Sequence, residues 1–585
     1  MSPSRSSSPL RSTRSGSRAS SHAAGLAMLL VIAAASPASA EGGAYIVVTP
    51  RRLAKVASGF VEYRSGQGLE GHSIVVEEAA PGTTGVARAR RLREAVRATW
   101  RKAGEPKRTF VLLLGDTEGG GTTEGRVPHF RVKDPTEWAE KDDPVIATDY
   151  PYSLCDDADP LADFAVGRLP VRTEAEALAA LERVRGYEAR PAPGAWQRRL
   201  TFFASQGGFG PVDVLLEQMF TQMADRLIPY EFDLNMTYGN PRSPYVYPPD
   251  QFSEKVLGRI NEGALLLCYI GHGHDRRLDT LRWGGRRYPI LDFKALERVN
   301  VGRQAPLFLL VACYTGRFDR KDDRDSIAEK LIKSERGPVA VLASSRVSHP
   351  YPNALLQMFA LRSLCTERVA TVGELLRDAR RALWTDQGQE RRRMEMMAAM
   401  MVRKPIREAM QTTHAAMYNL FGDPALRPAY ARSLDISAKR EGDALVIRLS
   451  DAPPPKTLSV TLECERSCIP AKLEDVPKNI RQDPGRRIVA SNYRKANDKV
   501  LATWQATVTE GAVRVPLPAR GLPKSRLYLK VFGQVEGRAA SGSTEVTELL
   551  RGAGAPAEPT PEAPEEPAPS PPKRKRFFGL QPRGG

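Results

Sequence analysis

The sequence has few cysteines, few aromatic residues and no long apolar run past its first 40 residues. Six cysteines in 585 residues exclude a small scaffold held by disulfides, and the apolar runs are too short for a transmembrane helix. The motifs HExxH, CxxC, GxSxG and GxxxxGK[ST] are all absent, which leaves no zinc ligand set, no α/β-hydrolase nucleophile elbow and no phosphate-binding loop. The remaining composition, 41% hydrophobic and 26% charged, is that of a globular chain.

The charge of the chain is strongly basic, with a net value of +18. Part of the excess lies at the two ends, since residues 1–23 contain no acid and residues 573–576 read KRKR. No nucleic-acid-binding motif accompanies the charge, so we expect no nucleic-acid partner. The basic tip is a candidate for weak contact with the cell envelope or a membrane surface, and a solvated tail is the alternative. Nothing in the sequence sets an oligomeric state.

Residues 1–40 have the pattern of a secretory signal peptide. A basic Ser/Arg-rich segment precedes the short apolar run AAGLAMLLVIAAA, and Ala38-Ser39-Ala40 follows as a small-residue cleavage site. The apolar run is too short to span a bilayer stably. We therefore expect cleavage after Ala40 and a protein that is secreted or held at the cell envelope.

Short apolar runs alternate with amphipathic helical segments from residue 41 to residue 430. Continuous apolar strands of this kind are typical of a parallel sheet that is covered by helices on both faces. The pattern predicts an α/β fold, in one piece or as two side-by-side subdomains covering 41–200 and 201–430. The strand-like runs are Tyr45–Val48, Ser73–Val76, Phe110–Leu114, Thr201–Ser205, Ala264–Ile270, Leu307–Cys313 and Pro338–Ser344.

The pattern changes after Pro428 to short alternating runs that are separated by Gly, Pro and Asp. Alternation of this kind predicts an all-β sandwich over residues 431–550, Ig-like in class. Residues 551–585 begin with a Pro/Glu/Ala-rich stretch that cannot bury a core, and we expect a disordered tail that ends in the basic tip.

Two of the apolar strands end in reactive side chains. One run ends in Gly271-His272-Gly273-His274 and the other in Cys313-Tyr314. The carboxyl ends of parallel strands meet at one edge of a sheet, and neighbouring strands lie about 4.8 Å apart. An imidazole there can activate a thiol, and the amides of Gly273 and Cys313 could bind an oxyanion.

The ordered set of motifs resembles the clan of caspases, legumains and gingipains, and within it the gingipain-type cysteine peptidases. The resemblance covers residues 45–430, plus an Ig-like domain after them, and it implies a caspase-like fold. The segments that carry it are YIVVTP, FVEYRSGQGLEGHSIVV, VLLLGD, the stretch from ATDYPYSLCDD to RVRGYE, YIGHG, VACYTGRF, GPVAVLAS and YNLFGDPAL.

The resemblance assigns roles to individual residues. It makes Cys313 the nucleophile, His272 the general base and acid, and the N–H groups of Gly273 and Cys313 the oxyanion hole. His274 is a competing histidine, one step beyond the His-Gly pair. Gln206 occupies the position of a Glu that supports the histidine in gingipains. The amide of Gln206 can orient an imidazole, but it cannot stabilise the charge of the protonated ring as a carboxylate does.

Asp213 falls near the acid that binds a basic P1 side chain in gingipains, across a short deletion. A carboxylate there would pair with Arg or Lys of a substrate. The alternative is that Asp213 caps the start of a helix over 212–227. The segment Ser344–Pro352 does not align cleanly with the pocket wall, so the P1 preference stays open.

An acidic loop precedes the run FAVGRL. Carboxylates spaced two to four residues apart suit a hard cation such as Ca²⁺, and gingipain-type enzymes bind calcium, so a structural calcium ion is a candidate. The alternative is a turn rich in aspartate. The candidate ligands are Asp156, Asp157, Asp159 and Asp163.

These residues predict a secreted cysteine endopeptidase of gingipain type that needs no cofactor for its chemistry and acts on proteins or peptides. The alternative is a catalytically silent gingipain-like module for binding or assembly on the cell envelope. Gln206 and the short segment before Tyr45 favour the alternative, whereas intact His272 and Cys313 favour the enzyme. A transpeptidase, in which an amine replaces water in the second step, would use the same residues.

Overall fold

The computed structural model describes residues 42–118, 125–136, 139, 141, 144–189, 192–207, 221, 223–400, 402–451, 453–476, 483–518 and 521–551. The predicted signal peptide, Asp213 and nearly all of the predicted tail lie outside these residues. None of the described helices has the length and apolar composition to cross a membrane.

Ten strands form one central sheet in the order β2-β1-β3-β6-β16-β15-β14-β9-β7-β8, parallel except where β16 meets β15. The runs predicted from the sequence overlap its strands. Apart from Ser73–Val76, which is in the edge strand β2 and is partly exposed, they consist mainly of buried apolar residues. The strands up to residue 421 are β1 (Gly43–Thr49), β2 (Leu69–Val75), β3 (Thr109–Leu114), β4 (Phe130–Lys133), β5 (Val145–Thr148), β6 (Ala165–Leu169), β7 (Arg199–Ala204), β8 (Asp233–Tyr238), β9 (Leu266–Ile270), β10 (Gly273–His274), β11 (Arg277–Leu278), β12 (Thr280–Trp283), β13 (Arg286–Pro289), β14 (Leu307–Val311), β15 (Ala340–Ser344) and β16 (Tyr418–Phe421).

Helices connect the parallel strands and cover the sheet. Their apolar sides join the large core formed by the strands, as in other doubly covered α/β sheets. The described helices before residue 418 are α1 (Ala54–Ser65), α2 (Val76–Ala79), α3 (Gly85–Lys102), α4 (Glu174–Ala189), α5 (Phe252–Asn261), α6 (Ile327–Lys333), α7 (Pro350–Leu361), α8 (Val372–Thr385), α9 (Gln389–Ala399) and α10 (Lys404–Met417).

The sheet is continuous across the two predicted subdomains. Its first four strands come from residues 43–169 and the other six from residues 199–421. They meet where β16 pairs with β6, at Phe421 opposite Arg168. Arg168 is fully buried and makes two bonds of 2.7 Å to the Asp149 carboxylate. The result is an α/β architecture with one large, mostly parallel sheet.

The remaining strands form two smaller sheets that share an apolar core, to which Leu445, Val460 and Leu529 contribute. Five strands pair in the order β17-β24-β23-β20-β21 and three in the order β18-β19-β22. The Ig-like class stays a prediction, and the sequence did not predict the long helix between β20 and β21. The elements are β17 (Arg432–Ser433), β18 (Ile436–Glu441), β19 (Ala444–Leu449), β20 (Thr457–Cys464), α11 (Asp483–Asn497), β21 (Val500–Thr507), β22 (Ala512–Pro516), β23 (Leu527–Val535), β24 (Arg538–Glu545) and α12 (Thr547–Arg551).

Arg466 fixes these smaller sheets to the large one. Its buried guanidinium donates to the carbonyl oxygens of Ala224, Ile228, Pro229 and Phe232 at 2.5–3.2 Å. Buried carbonyl groups that lose such a donor are costly, so this one side chain ties the two parts together.

Candidate active site

Three strand ends lie side by side at one edge of the large sheet. Ile270 of β9 pairs with Val311 of β14 on one side and with Ala204 of β7 on the other. The chain reaches His272, Cys313 and Gln206 two residues after Ile270, Val311 and Ala204, respectively. Three of the predicted site residues therefore start from the same register position on adjacent strands.

Cys313 begins a tight turn that is held against the end of β15. Its half-buried Sγ lies 3.3 Å from the Ser348 backbone N, which donates to it, and 3.8 Å from the Ser348 Oγ. Tyr314 has φ +59°, a region that non-glycine residues seldom adopt, and its N–H donates to the Arg346 carbonyl at 3.1 Å. Backbone strain of this kind is concentrated at functional sites.

Four other cysteines are held as protonated thiols. Burial raises the pKa of Cys155, Cys365 and Cys464 to about 12, and raises the pKa of Cys268 further still. The thiolate is the nucleophilic form of cysteine. These four side chains are therefore poor nucleophiles at neutral pH.

His272 is exposed, and its ring contacts a backbone carbonyl group. Its Nε2 lies 3.0 Å from the carbonyl oxygen of Gly207, and its own carbonyl accepts from the Tyr269 hydroxyl at 2.7 Å. A carbonyl oxygen can only accept, so the contact with Gly207 requires the proton on Nε2. The basic lone pair of the neutral ring then lies on Nδ1.

Gly273 passes against the backbone of Cys313. A Cβ at this position would fall 2.7 Å from the Cys313 carbonyl oxygen and 2.9 Å from the Ala312 Cβ. Both distances are too short for a side chain, so only glycine allows this approach. The two backbones that the sequence predicts as an oxyanion hole are therefore in direct contact.

A buried polar chain lies behind the cysteine. The Tyr418 hydroxyl donates to Asn353 Oδ1 at 2.7 Å, and Asn353 Nδ2 donates to Ser348 Oγ at 2.8 Å. Next to it, the His349 N–H donates to Nε2 of His414 at 2.7 Å. Burial lowers the pKa of His414 to about 3, so its ring is neutral and can accept. The Ser348 donor is thus fixed by buried groups.

Gln206 and His274 occupy the rim of this edge. The Gln206 amide pairs with the Arg282 backbone, since its Oε1 accepts from the N–H at 2.8 Å and its Nε2 donates to the carbonyl at 3.2 Å. His274 is exposed on β10, and partial burial and the charge of Arg277 lower its pKa. Neither observation assigns a catalytic role to these residues, and Asp213 lies outside the described part of the chain.

The four aspartates predicted as calcium ligands do not converge. Asp157 binds Arg97 at 3.0 Å and Arg93 at 3.1 Å, and the bonds from Arg97 hold its pKa below the usual value. The other three, Asp156, Asp159 and Asp163, accept backbone N–H groups of the loop. Among the described residues, no three His, Cys, Asp or Glu side chains form a set that could hold a metal ion. These aspartates do not fit a calcium site here.

Comparison with known proteins matches the sequence to a peptidase family. The sequence model of Peptidase family C25 matches residues 38–429, which is two thirds of the chain. The chain belongs to this family, the gingipain family. It is therefore a cysteine-type peptidase, a hydrolase that acts on protein substrates. No curated protein sequence matches it significantly.

Three solved structures are similar to this peptidase over most of its length. The Arg specific cysteine proteinase gingipain R (RGPB) is 18% identical, with 87% of this chain and 98% of that chain covered and a TM-score of 0.49. The complex of the Porphyromonas gingivalis RgpB pro- and mature domains is 18% identical, with 86% of this chain and 100% of that chain covered and a TM-score of 0.47. Dimeric latent PorU from Porphyromonas gingivalis is 12% identical, with 86% of this chain and 42% of that chain covered and a TM-score of 0.35.

Sequence reasoning missed the groups that position the two reactive side chains. The Gly207 carbonyl and the Ser348 N–H belong to the backbone, so no residue type marks them. Asn353 and Tyr418 are 65 residues apart in the sequence and meet only in the fold. A buried Asn and a buried Tyr beside a strand end are the signal that could have found them.

Proposed function

We propose that this C25 peptidase is a secreted endopeptidase in which Cys313 is the nucleophile and His272 is the general base and acid. The observation that carries the proposal is the shared register of β9 and β14, from which both side chains start two residues beyond the paired Ile270 and Val311. The proton on Nε2 of His272 leaves Nδ1 as the basic atom. Burial raises the pKa of Cys155, Cys268, Cys365 and Cys464, which makes these four thiols poor candidates for the nucleophile.

In the first half-reaction, His272 Nδ1 takes the proton of the Cys313 thiol, and the sulfur attacks the carbonyl carbon of a peptide bond. The Gly273 and Cys313 N–H groups receive the oxyanion of the tetrahedral intermediate. As the C–N bond breaks, the imidazolium gives its proton to the leaving amine. The product is a thioester between Cys313 and the acyl half of the substrate.

In the second half-reaction, His272 takes a proton from water, and the hydroxide oxygen attacks the thioester carbon. The C–S bond breaks, a carboxylic acid is released, and the imidazolium returns its proton to the sulfur. An amine in place of this water would give transpeptidation with the same residues.

The finer parts of the proposal concern substrate and location. We include a preference for Arg or Lys at P1, with Asp213 as the acidic partner, and export through the signal peptide of residues 1–40. The tail beyond residue 551 would extend from the second, all-β part of the chain and end in the basic tip.

The test is proteolysis of a peptide mixture, read by mass spectrometry, by the chain from residue 41 onward. The variants are Cys313→Ala, His272→Ala and His274→Ala, each checked for folding by circular dichroism. We expect the first two to lose cleavage and His274→Ala to keep most of it, with cuts after Arg or Lys that Asp213→Asn reduces. Cleavage that survives Cys313→Ala refutes the assignment, and a folded wild type that cuts nothing favours the silent binding module.

A further inference from the structure

A basic arm follows the predicted catalytic histidine directly. The arginine arm, residues 274–293, consists of the β10–β11 and β12–β13 hairpins. Its apolar side chains Leu281 and Leu291 are buried in the main core, which fixes it to the body of the protein. It carries five arginines, namely Arg276, Arg277, Arg282, Arg286 and Arg287.

Two of these arginines lie opposite each other. Arg282 of β12 pairs in register with Arg287 of β13, and both are exposed. Like charges directly across an antiparallel pair destabilise a hairpin, so folding alone does not favour this pair. An anionic ligand between them would remove the repulsion.

The arginine arm has no carboxylate partners of its own in the described part of the chain, where its five guanidinium groups make no ion pair. Its three aspartates are used elsewhere. Asp275 pairs with Arg320, Asp279 accepts from the Thr280 N–H, and Asp292 accepts from the Ala295 N–H. Arg276 packs over the Phe293 ring at 3.9 Å, whereas the other four arginines of the arm are exposed.

The arginine arm is joined to the catalytic edge by two residues. Gln206 holds the Arg282 backbone through both amide atoms, and the carbonyl of the next residue, Gly207, contacts the His272 ring at 3.0 Å. A four-residue strand spans about 10–13 Å, which is also the span of about four residues of extended substrate. An extended polypeptide bound at Cys313 and running along the arm would therefore need about four residues to pass the length of β12.

We propose that the arginine arm binds acidic side chains of the polypeptide substrate, within about four residues of the bond that is cleaved. The proposal rests on the proposed function and adds a second specificity element to it, separate from P1. Arg282 and Arg287 are the central pair, because one Asp or Glu carboxylate between them relieves their repulsion and gains two charge-assisted hydrogen bonds.

The expected effect follows from the exposure of the arginines. An exposed ion pair changes an equilibrium by about 1.4- to 5-fold, so two arginines give about a 2- to 30-fold preference for an acidic over a neutral peptide. Salt screens exposed charges with a length of about 10 Å at 0.1 M. The preference is therefore expected to shrink as salt is added.

The experiment compares twin peptides that share a cleavage site and differ only in Glu against Gln at the flanking positions. The readout is the ratio of kcat/KM for the two twins, for the wild type and for Arg282→Gln/Arg287→Gln. The matched control is Arg303→Gln/Arg336→Gln, which removes two exposed arginines near the amino ends of β14 and β15, at the opposite edge of the sheet. We expect the ratio to approach one in the arm variant alone, and an unchanged ratio there overturns the proposal.

A second measurement separates this proposal from the proposed function. If the wild type cleaves neither twin, proteolysis fails, but binding of a fluorescent acidic twin to the Cys313→Ala chain still tests the arm by anisotropy. Binding that falls with the Arg282→Gln/Arg287→Gln substitution supports the proposal, and binding that does not fall refutes it. Arm-dependent binding to phosphatidylglycerol vesicles without any peptide preference would assign the surface to lipid and overturn the substrate assignment.

Discussion

Replacing Asn353 by leucine tests whether the buried chain behind Cys313 serves catalysis. The substitution keeps the size of the side chain but removes its bonds to Tyr418 and Ser348, at 2.7 and 2.8 Å. The Tyr418 hydroxyl is fully buried and loses its 2.7 Å acceptor, which costs about 1–3 kcal/mol of unfolding free energy. The Ser348 segment, whose N–H donates to the Cys313 sulfur, also loses a fixed partner.

The expected kinetic effect is larger than the loss of stability suggests. A displacement of about 1 Å at a reacting atom can cost about 100-fold in rate, so we expect kcat/KM on a peptide substrate to fall by about 10- to 100-fold. The assay combines urea unfolding with peptide cleavage at a temperature where the variant is fully folded.

Asn492→Leu is the matched control. Asn492 is also buried, and on helix α11 it makes two bonds to the Glu474 backbone, at 3.0 and 2.7 Å. We expect a similar loss of unfolding free energy and no loss of kcat/KM. If Asn353→Leu and Asn492→Leu have equal kcat/KM, the chain behind Cys313 serves stability only and the reasoning fails.

Three further predictions concern stability. Arg64→Met leaves the fully buried Asp423 carboxylate without its 2.6 Å partner and should cost about 3–5 kcal/mol of unfolding free energy, measured with urea. The control Arg185→Met breaks an exposed ion pair and should cost under about 1 kcal/mol, so equal losses would contradict the prediction. Burial raises the pKa of Glu329 from 4.5 to about 7, so the folded state binds this proton more tightly than the unfolded state, and the free energy of unfolding should fall as pH rises across that window. Glu329→Gln should flatten this decline, and an unchanged slope would mean that other groups cause it. Calcium and a chelator should leave the melting temperature unchanged, because the aspartates of residues 156–163 have other partners. A melting temperature that rises with added calcium would instead support a calcium site in this loop.

The sequence predicts the central strands well, because strands that are buried on both faces are continuous apolar runs. It missed three strands of the large sheet. β6 is fully buried, but Gly167 and Arg168 interrupt its apolar sequence. β8 lies at the edge of the sheet and is only half-buried over Asp233–Asn235, so its sequence is mixed. β16 has four residues and runs antiparallel to β15, so a pattern of alternating strands and helices does not include it.

The order of the strands is beyond the reach of periodicity. Apolar runs mark β7, β9 and β14 but do not say that they are neighbours, and the site depends on that neighbourhood. Only the resemblance to a known family supplied it. His272 and Cys313 could be proposed from the sequence because their chemistry is specific to residue type, whereas Gly207 and Ser348 contact them through backbone atoms that every residue carries.

The Gln206 amide joins the predicted catalytic edge to the arginine arm. An amide both accepts and donates, so Gln206 satisfies the N–H and the carbonyl of Arg282 together. A carboxylate there could accept from the N–H, but it would face the carbonyl oxygen with no proton to give. Gln206 is thus suited to anchoring the arm beside the site, while the Gly207 carbonyl orients the His272 ring. Gln206 and Gly207 thus connect the predicted histidine base to a fixed basic surface, and the twin-peptide comparison tests whether that surface binds substrate.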